Sequence, residues 1–335
     1  DGGTRLAIVF NGSPLFTGGA GSGESEIRRW IIENDWLEGV VALPDQLFYN
    51  TGIYTYLWIV TNRKDRKRRG KVQLVNAASF FKKMRKSLGN KRHEICDPQR
   101  DEITRLYGEF KEGEHVRIFD NEDFGFRRIT VERPLRLNFA VTEERLAALQ
   151  ADSAFQTLAA SKRRKDKKAA EAEAAAGRKQ QEAILAALRG MMNAECGMMK
   201  NREAFAARLK TAIRDSSLIT PHSSLFNRIL LALAERDETA DVCKDGKGNV
   251  EPDPARRDCE NVPRQEDIGA YMAREVLPHV PDAWVDESKT RVGYEIGFNR
   301  YFYKYTPPRP LAEIEAELKQ IEREIAEMLA EVTSK

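Results

Sequence analysis

Short apolar, β-branched runs punctuate the first part of the chain. Arg5–Phe10 (RLAIVF), Leu37–Leu43 (LEGVVAL), Ile53–Thr61 (IYTYLWIVT) and Lys71–Asn76 (KVQLVN) each read as a buried strand, since turn-forming residues bound them. Between the first two, Glu24–Asn34 places Ile27, Trp30 and Ile31 at helical spacing and acids in the first turn, which predicts a helix. Strand–helix–strand–strand is the tail of an α/β sheet and too few strands for a whole one. From Thr142 the period changes. Thr142 to Arg189 is rich in Ala, Glu, Lys, Arg and Leu without proline, predicting one long helix or a helical pair. Further helical patterns cover Arg202–Asp215, Leu225–Asp237 and Asp267–Val276, while Cys243–Pro263 reads as an exposed turn-rich excursion. The last segment is the most regular. Leu311, Ile314, Leu318, Ile321, Ile325, Met328 and Val332 recur at steps of three and four, a heptad seam that lone helices do not leave exposed.

The expected fold is therefore α/β followed by mainly α. Residues 1–140 form a sheet domain with a basic extension, 141–305 a helical domain, and 306–335 a terminal coiled-coil-type helix. The seam packs either against this same chain or against another subunit.

Charge sharpens the picture. The net charge of the 335 residues is only +3, yet Asn62 to Arg92 holds thirteen Lys/Arg against one acid, Asp65. That stretch carries +12, so the rest carries −9. A second basic knot lies at Lys162–Lys168. Basic clusters on an otherwise acidic chain are what contact with a phosphate backbone requires, although a solvated face has the same composition. A hydrophobic fraction of 41% supports a packed core, and no run nears the ~20 apolar residues of a membrane span. Four scattered cysteines (Cys96, Cys196, Cys243, Cys259) make neither a disulfide framework nor a four-cysteine zinc site. A reducing, cytoplasmic setting is expected. The opening Asp1-Gly2-Gly3, with neither Met nor a leader pattern, reads as part of something longer.

Several familiar chemistries fail on spacing. Gly18–Gly23 precedes a helix but lacks the Lys-Ser/Thr of a P-loop and the G-x-G-x-x-G pattern, so it reads as a mobile connection. Asp241, Cys243 and Asp245 imitate the start of a calcium loop, but Pro252 stands where the closing Glu belongs. His93, His115, His222 and His279 share no ligand or triad spacing, and no metal is expected. Thr306-Pro307-Pro308-Arg309 holds the only Pro-Pro, wrong on both sides for the Asn-Pro-Pro-aromatic motif that binds the amine in amino-methyltransferases.

Three passages in order then resemble one family. Gly2-Gly3-x-x-x-Ala7-Ile8-Val9 with Leu43-Pro44-x-x-Leu47-Phe48-Tyr49-x-Thr51-Gly52-Ile53, Phe124 to Leu135, and Gly293 to Pro310 with the terminal heptads are similar to the modification (M) subunit of type I restriction–modification enzymes. That resemblance implies an adenine-N6 DNA methyltransferase using S-adenosylmethionine, with DNA, a specificity subunit and a restriction subunit as partners and no membrane. It implies that the cofactor and catalytic motifs precede Arg5, so that this C-terminal part alone is inactive and binds no cofactor. Arg5–Phe10 would be the fifth strand of a class I methyltransferase-like sheet and Leu37–Leu43 the sixth. Ile53–Thr61 would be the antiparallel seventh, inserted between them. Phe48 would face a flipped adenine; an ordinary core Phe is the competing reading. Arg63, Lys64, Arg66, Lys67, Arg68 and Arg69 would form the DNA-contacting surface. The heptad residues Leu311, Ile314, Leu318, Ile321, Ile325, Met328 and Val332 would dock a subunit. A non-enzymatic DNA-binding or assembly adaptor with methyltransferase-like strands, and a self-associating coiled-coil protein, are the alternatives.

Overall fold

The computed structural model describes residues 2–160, 167–193, 197–214, 224–305 and 307–333. The chain divides into two compact units, Asp1–Phe126 with Gly293–Lys335, and Arg127–Val292.

The first unit begins with strand β1 (Arg5–Phe10), the short helix α1 (Ser13–Phe16) and α2 (Gly23–Glu33). Glu24 and Glu26 lie in the first turn of α2, as the sequence foretells, and Ser22 caps it by accepting from the Ser25 N–H at 3.3 Å. Strands β2 (Leu37–Leu43), β3 (Thr55–Thr61) and β4 (Lys71–Asn76) follow, then a hairpin of β5 (Lys82–Leu88) and β6 (Lys91–Glu94), helix α3 (Asp97–Glu109) and β7 (Val116–Asp120). The five-stranded sheet has the order β1-β3-β2-β4-β7. β3 lies between β1 and β2 and antiparallel to both, as the resemblance implies, while β2 and β4 are parallel.

β2 is buried on both faces, which is why it reads as a continuous apolar run rather than an alternating one. Val41 packs with Ile59, Val75 and Val116 beneath Ile103, Leu106 and Tyr107 of α3. Each fully buried aliphatic side chain contributes about 1.5–3 kcal/mol. Gly39 is required there, because a Cβ would sit 2.9 Å from the Gln73 carbonyl oxygen and 3.3 Å from the Tyr107 ring. β1 differs: Leu6, Ile8, Val9 and Phe10 are all exposed, and it pairs along one edge only.

The second unit contains most of β8 (Gly125–Glu132), then β9 (Leu137–Phe139) and helices α4 (Glu143–Ala151), α5 (Ser153–Thr157), α6 (Lys167–Asn193), α7 (Arg202–Arg214) and α8 (Ser224–Ala232). β10 (Ala234–Arg236), β11 (Asp258–Pro263), α9 (Ile268–Tyr271) and β12 (Trp284–Val285) complete it. The predicted helix from Thr142 is broken at Asp152, whose carboxylate accepts from the N–H groups of Ala154 and Phe155 and starts a new helix. Leu225–Asp237 likewise ends early, because residues 234–236 pair antiparallel with β9. The helical core gathers Leu146, Leu149, Ile184, Leu188, Phe205 and Leu209. Strands β11 and β12 lie within the region expected to be helical, and β8 sits between them in one sheet.

The chain returns to the first unit through β13 (Arg291–Tyr294), α10 (Phe298–Phe302) and α11 (Leu311–Thr333). Gly293–Tyr305, expected in the helical domain, groups with the sheet instead. The cause is specific bonding: Tyr294 accepts from buried Arg28 through its carbonyl at 2.6 Å and donates its hydroxyl to Glu33 at 2.9 Å. The Tyr56 and Phe298 rings meet edge-on at 5.3 Å. No helix among the described residues is long and apolar enough to cross a membrane.

Candidate nucleic-acid interface

Phe48 stands in the turn after β2, half out of the protein at 39% exposure. It is not a core residue. Gln46 (φ 52°) and Asn50 (φ 60°) bracket it, both in the left-handed region that residues other than Asn, Asp and Gly seldom occupy. The segment carries further exposed rings, Tyr49 and Tyr54. Its left-handed residue Gln46 offers its carbonyl to two backbone donors of the hairpin, Arg92 N–H at 3.0 Å and His93 N–H at 3.1 Å. His93 in turn meets Asp45 through Nδ1, 2.9 Å from the backbone oxygen and 3.1 Å from Oδ1, and stacks on Phe81 at 3.8 Å between centroids.

The six cations expected on a DNA-contacting surface divide. Arg63, Arg66, Lys67 and Arg69 are exposed. Lys64 and Arg68 are buried, which corrects that expectation for both. The Lys64 ammonium donates to Asp35 Oδ1 at 2.5 Å and to the Lys71 carbonyl at 2.6 Å. Burial pushes its pKa down, and the Asp35 contact partly offsets that. Burial would raise the Asp35 carboxyl, but Lys64, the Gly70 N–H and Asn121 together hold it below its ordinary value. Arg68 lies 3.4 Å from buried Glu38, donates to Gln73 Oε1 at 2.7 Å and to the Tyr107 carbonyl, and sits over the Tyr107 and Phe110 rings at 4.5 and 4.4 Å. Arg5 reaches the same Glu38 at 3.0 Å. These charges pin β2 to its neighbours.

Of the heptad residues, Leu311, Leu318, Ile321, Ile325 and Met328 are exposed and Ile314 is intermediate; Val332 lies in the helix. The basic knot Lys162–Lys168 lies, up to residue 166, outside the described residues.

The glycine loop before α2 does not fit S-adenosylmethionine. Arg28 sits at its start, donating to the carbonyls of Pro14 (3.1 Å), Thr17 (2.8 Å) and Gly18 (3.4 Å), and the Ser22 hydroxyl is spent on the helix cap. Those bonds tie down a loop that reads as mobile in sequence. Asp245, in the calcium-like segment, accepts from Lys247 and Asn249 N–H groups at a turn, and no metal-holding cluster occurs among the described residues.

Sequence reasoning missed the β5–β6 hairpin. A turn signal was present in Gly89-Asn90, which separates Leu88 from its partner Lys91.

Residues 1–123 match the N-6 DNA Methylase family. The chain is 31% identical over 136 residues to the type I restriction enzyme MjaVII methylase subunit of Methanocaldococcus jannaschii, covering 40% of this chain and 21% of that protein. It is 28% identical over 132 residues to the MjaIX methylase subunit of the same organism, covering 39% and 23%. A solved type I restriction-modification methyltransferase subunit from Streptococcus thermophilus is similar at 24% identity and a TM-score of 0.31, over 36% of this chain and 24% of that one. The resemblance to a type I modification subunit holds on the family and sequence matches, which span less than a quarter of either curated relative's length.

Proposed function

We propose that this chain is the C-terminal part of a type I modification subunit and forms part of the DNA-facing wall of an adenine-N6 methyltransferase. The observation that carries the reading is Phe48, an exposed ring held on a strained turn within the stretch that matches the N-6 DNA Methylase family. Adenine N6 is inaccessible inside a duplex, so the base leaves the stack and needs an aromatic face to receive it. Phe48 supplies that face. Arg63, Arg66, Lys67 and Arg69 neutralise backbone phosphates.

In the whole subunit S-adenosylmethionine donates the methyl group. The Asn-Pro-Pro-aromatic tetrapeptide does not occur in the 335 residues, so the chain by itself binds DNA without methylating it. Its setting is the cytoplasm. The heptad seam of α11 docks a partner, the specificity subunit first and the restriction subunit with it. Exposure of five seam residues favours this assembly role.

The test is fluorescence anisotropy with a labelled duplex over a salt series. Affinity falling linearly on a double-logarithmic plot supports the reading; absence of salt-dependent binding overturns it.

A further inference from the structure

The hairpin β5–β6 is unusual for what it lacks. A two-stranded ribbon is marginal without an apolar face, yet Lys82, Lys83, Arg85, Lys86 and Arg92 are all exposed on this one. None of these five makes an ion pair among the described residues. Glu94, the ribbon's one carboxylate, faces Lys82 across the strands. What holds the ribbon is its base: the two N–H bonds to Gln46, the His93–Asp45 contact and the Phe81–His93 stack. Gly89, at φ 63°, takes the first left-handed position of the turn. Lys91 reaches back to lie 5.4 Å over the Tyr49 ring.

The ribbon's register shifts between Lys83 and Leu88, and Lys83, Met84, Arg85 and Ser87 face one common space. They line a cleft of about 740 Å³ together with Arg92, His93 and Tyr54. Three cations thus share the lining with a phenol ring at 50% exposure and a carboxylate, Asp45, that His93 engages. Such a lining suits a polyanion that also carries flat rings. Cations take the phosphates and the ring takes a base, which is how single-stranded nucleic acid is held.

We propose that this cleft seats one DNA strand, with Lys83, Arg85 and Arg92 on consecutive phosphates and Tyr54 stacked on an unpaired base. The proposal rests on the DNA-binding reading above, and neither Phe48 nor the Arg63–Arg69 cations line the cleft. The left-handed Gln46 couples it to the Phe48 turn, since the same short segment carries the ring and anchors the ribbon.

The experiment measures anisotropy of the whole chain on a duplex with one unpaired adenine and on the fully paired duplex, each across a salt series. Lys83→Ala/Arg85→Ala/Arg92→Ala should flatten the salt slope by about 2–3 units, at about 0.9 for each phosphate no longer neutralised. The changed side chains are exposed, and circular dichroism checks that the fold persists. Tyr54→Ala should leave that slope in place and weaken the preference for the unpaired duplex, the Phe48 face remaining. An unchanged slope in the triple variant overturns the cleft, provided Arg63→Ala/Arg66→Ala/Lys67→Ala/Arg69→Ala flattens it, because DNA binding itself then stands. An unchanged preference in Tyr54→Ala overturns the stacking role. If the unsubstituted chain shows no salt-dependent binding, both the cleft and the broader reading fall.

Discussion

The Lys64 ammonium lies 2.5 Å from Asp35 Oδ1, inside a run of six cations that by composition alone is a solvated face. Asp35 has φ 58° and also accepts from the Gly70 N–H at 3.0 Å. The turn after α2 and the turn before β4 are therefore one bonded structure. Lys64→Met should lower unfolding free energy by about 3 kcal/mol, the low end for breaking a buried pair because Asp35 is partly exposed. Urea denaturation measures the loss. The salt slope of DNA binding should not move, in contrast to substitution of Arg63 or Arg66.

Gly39 tests the packing of α3 on the sheet. Gly39→Ala places a methyl against the Gln73 carbonyl and the Tyr107 ring. Overpacking of this kind costs about 1–3 kcal/mol, and thermal melting should show it as a lower midpoint.

The acid limb of stability should run partly through Asp253. Arg236 binds it with two bonds of 2.8 and 2.9 Å and, with the Ala255 N–H, holds its carboxyl below the usual 3.8 against the opposing effect of burial. A carboxylate lowered in the folded state contributes stability that is complete above its unfolded value and lost as pH falls through the folded one. Asp253→Asn should therefore be less stable at neutral pH by about 1–3 kcal/mol. Its stability should also change less than that of the unsubstituted chain as pH drops below 3.8.

Phe48→Ala should leave overall affinity for paired DNA within about twofold, since it removes no charge. It should reduce the fluorescence rise of 2-aminopurine placed at the target adenine. An undiminished rise would remove Phe48 from the base-facing wall.

On α11, Ile321→Lys with Ile325→Lys should abolish co-purification with a specificity subunit. Both residues are exposed in the chain alone, so its melting temperature should stay the same. Light scattering after truncation at Tyr305 separates this from self-association, which predicts a halved mass.

The strands were legible because β2, β3 and β4 are central, and burial on both faces writes itself as unbroken apolar sequence. The antiparallel insertion of β3 came from the resemblance, since no periodicity distinguishes strand order. Phe48 was likewise singled out only by resemblance. Lys64 and Arg68 were misread because their partners, Asp35, Glu38 and Tyr107, are distant in sequence. Charge counts cannot show which cation folds inward. The β5–β6 ribbon escaped for the opposite reason: its lysines and arginines hide the alternation that marks a strand. Asp152 could have been found, as an Asp two residues before an apolar helical stretch is a cap in sequence. The return of Gly293–Tyr305 to the sheet depends on Arg28 more than 250 residues away in sequence, a pairing no local pattern encodes.

β1 has a consequence for handling the isolated polypeptide. Its outer rim offers a row of free amide donors and acceptors, flanked above and below by Leu6, Ile8, Val9 and Phe10. A greasy, uncovered rim of this sort recruits strands from neighbouring molecules. Solubility should fall steeply with concentration and recover when Ile8 is exchanged for lysine, making the first six-residue strand the place where purity and yield are decided.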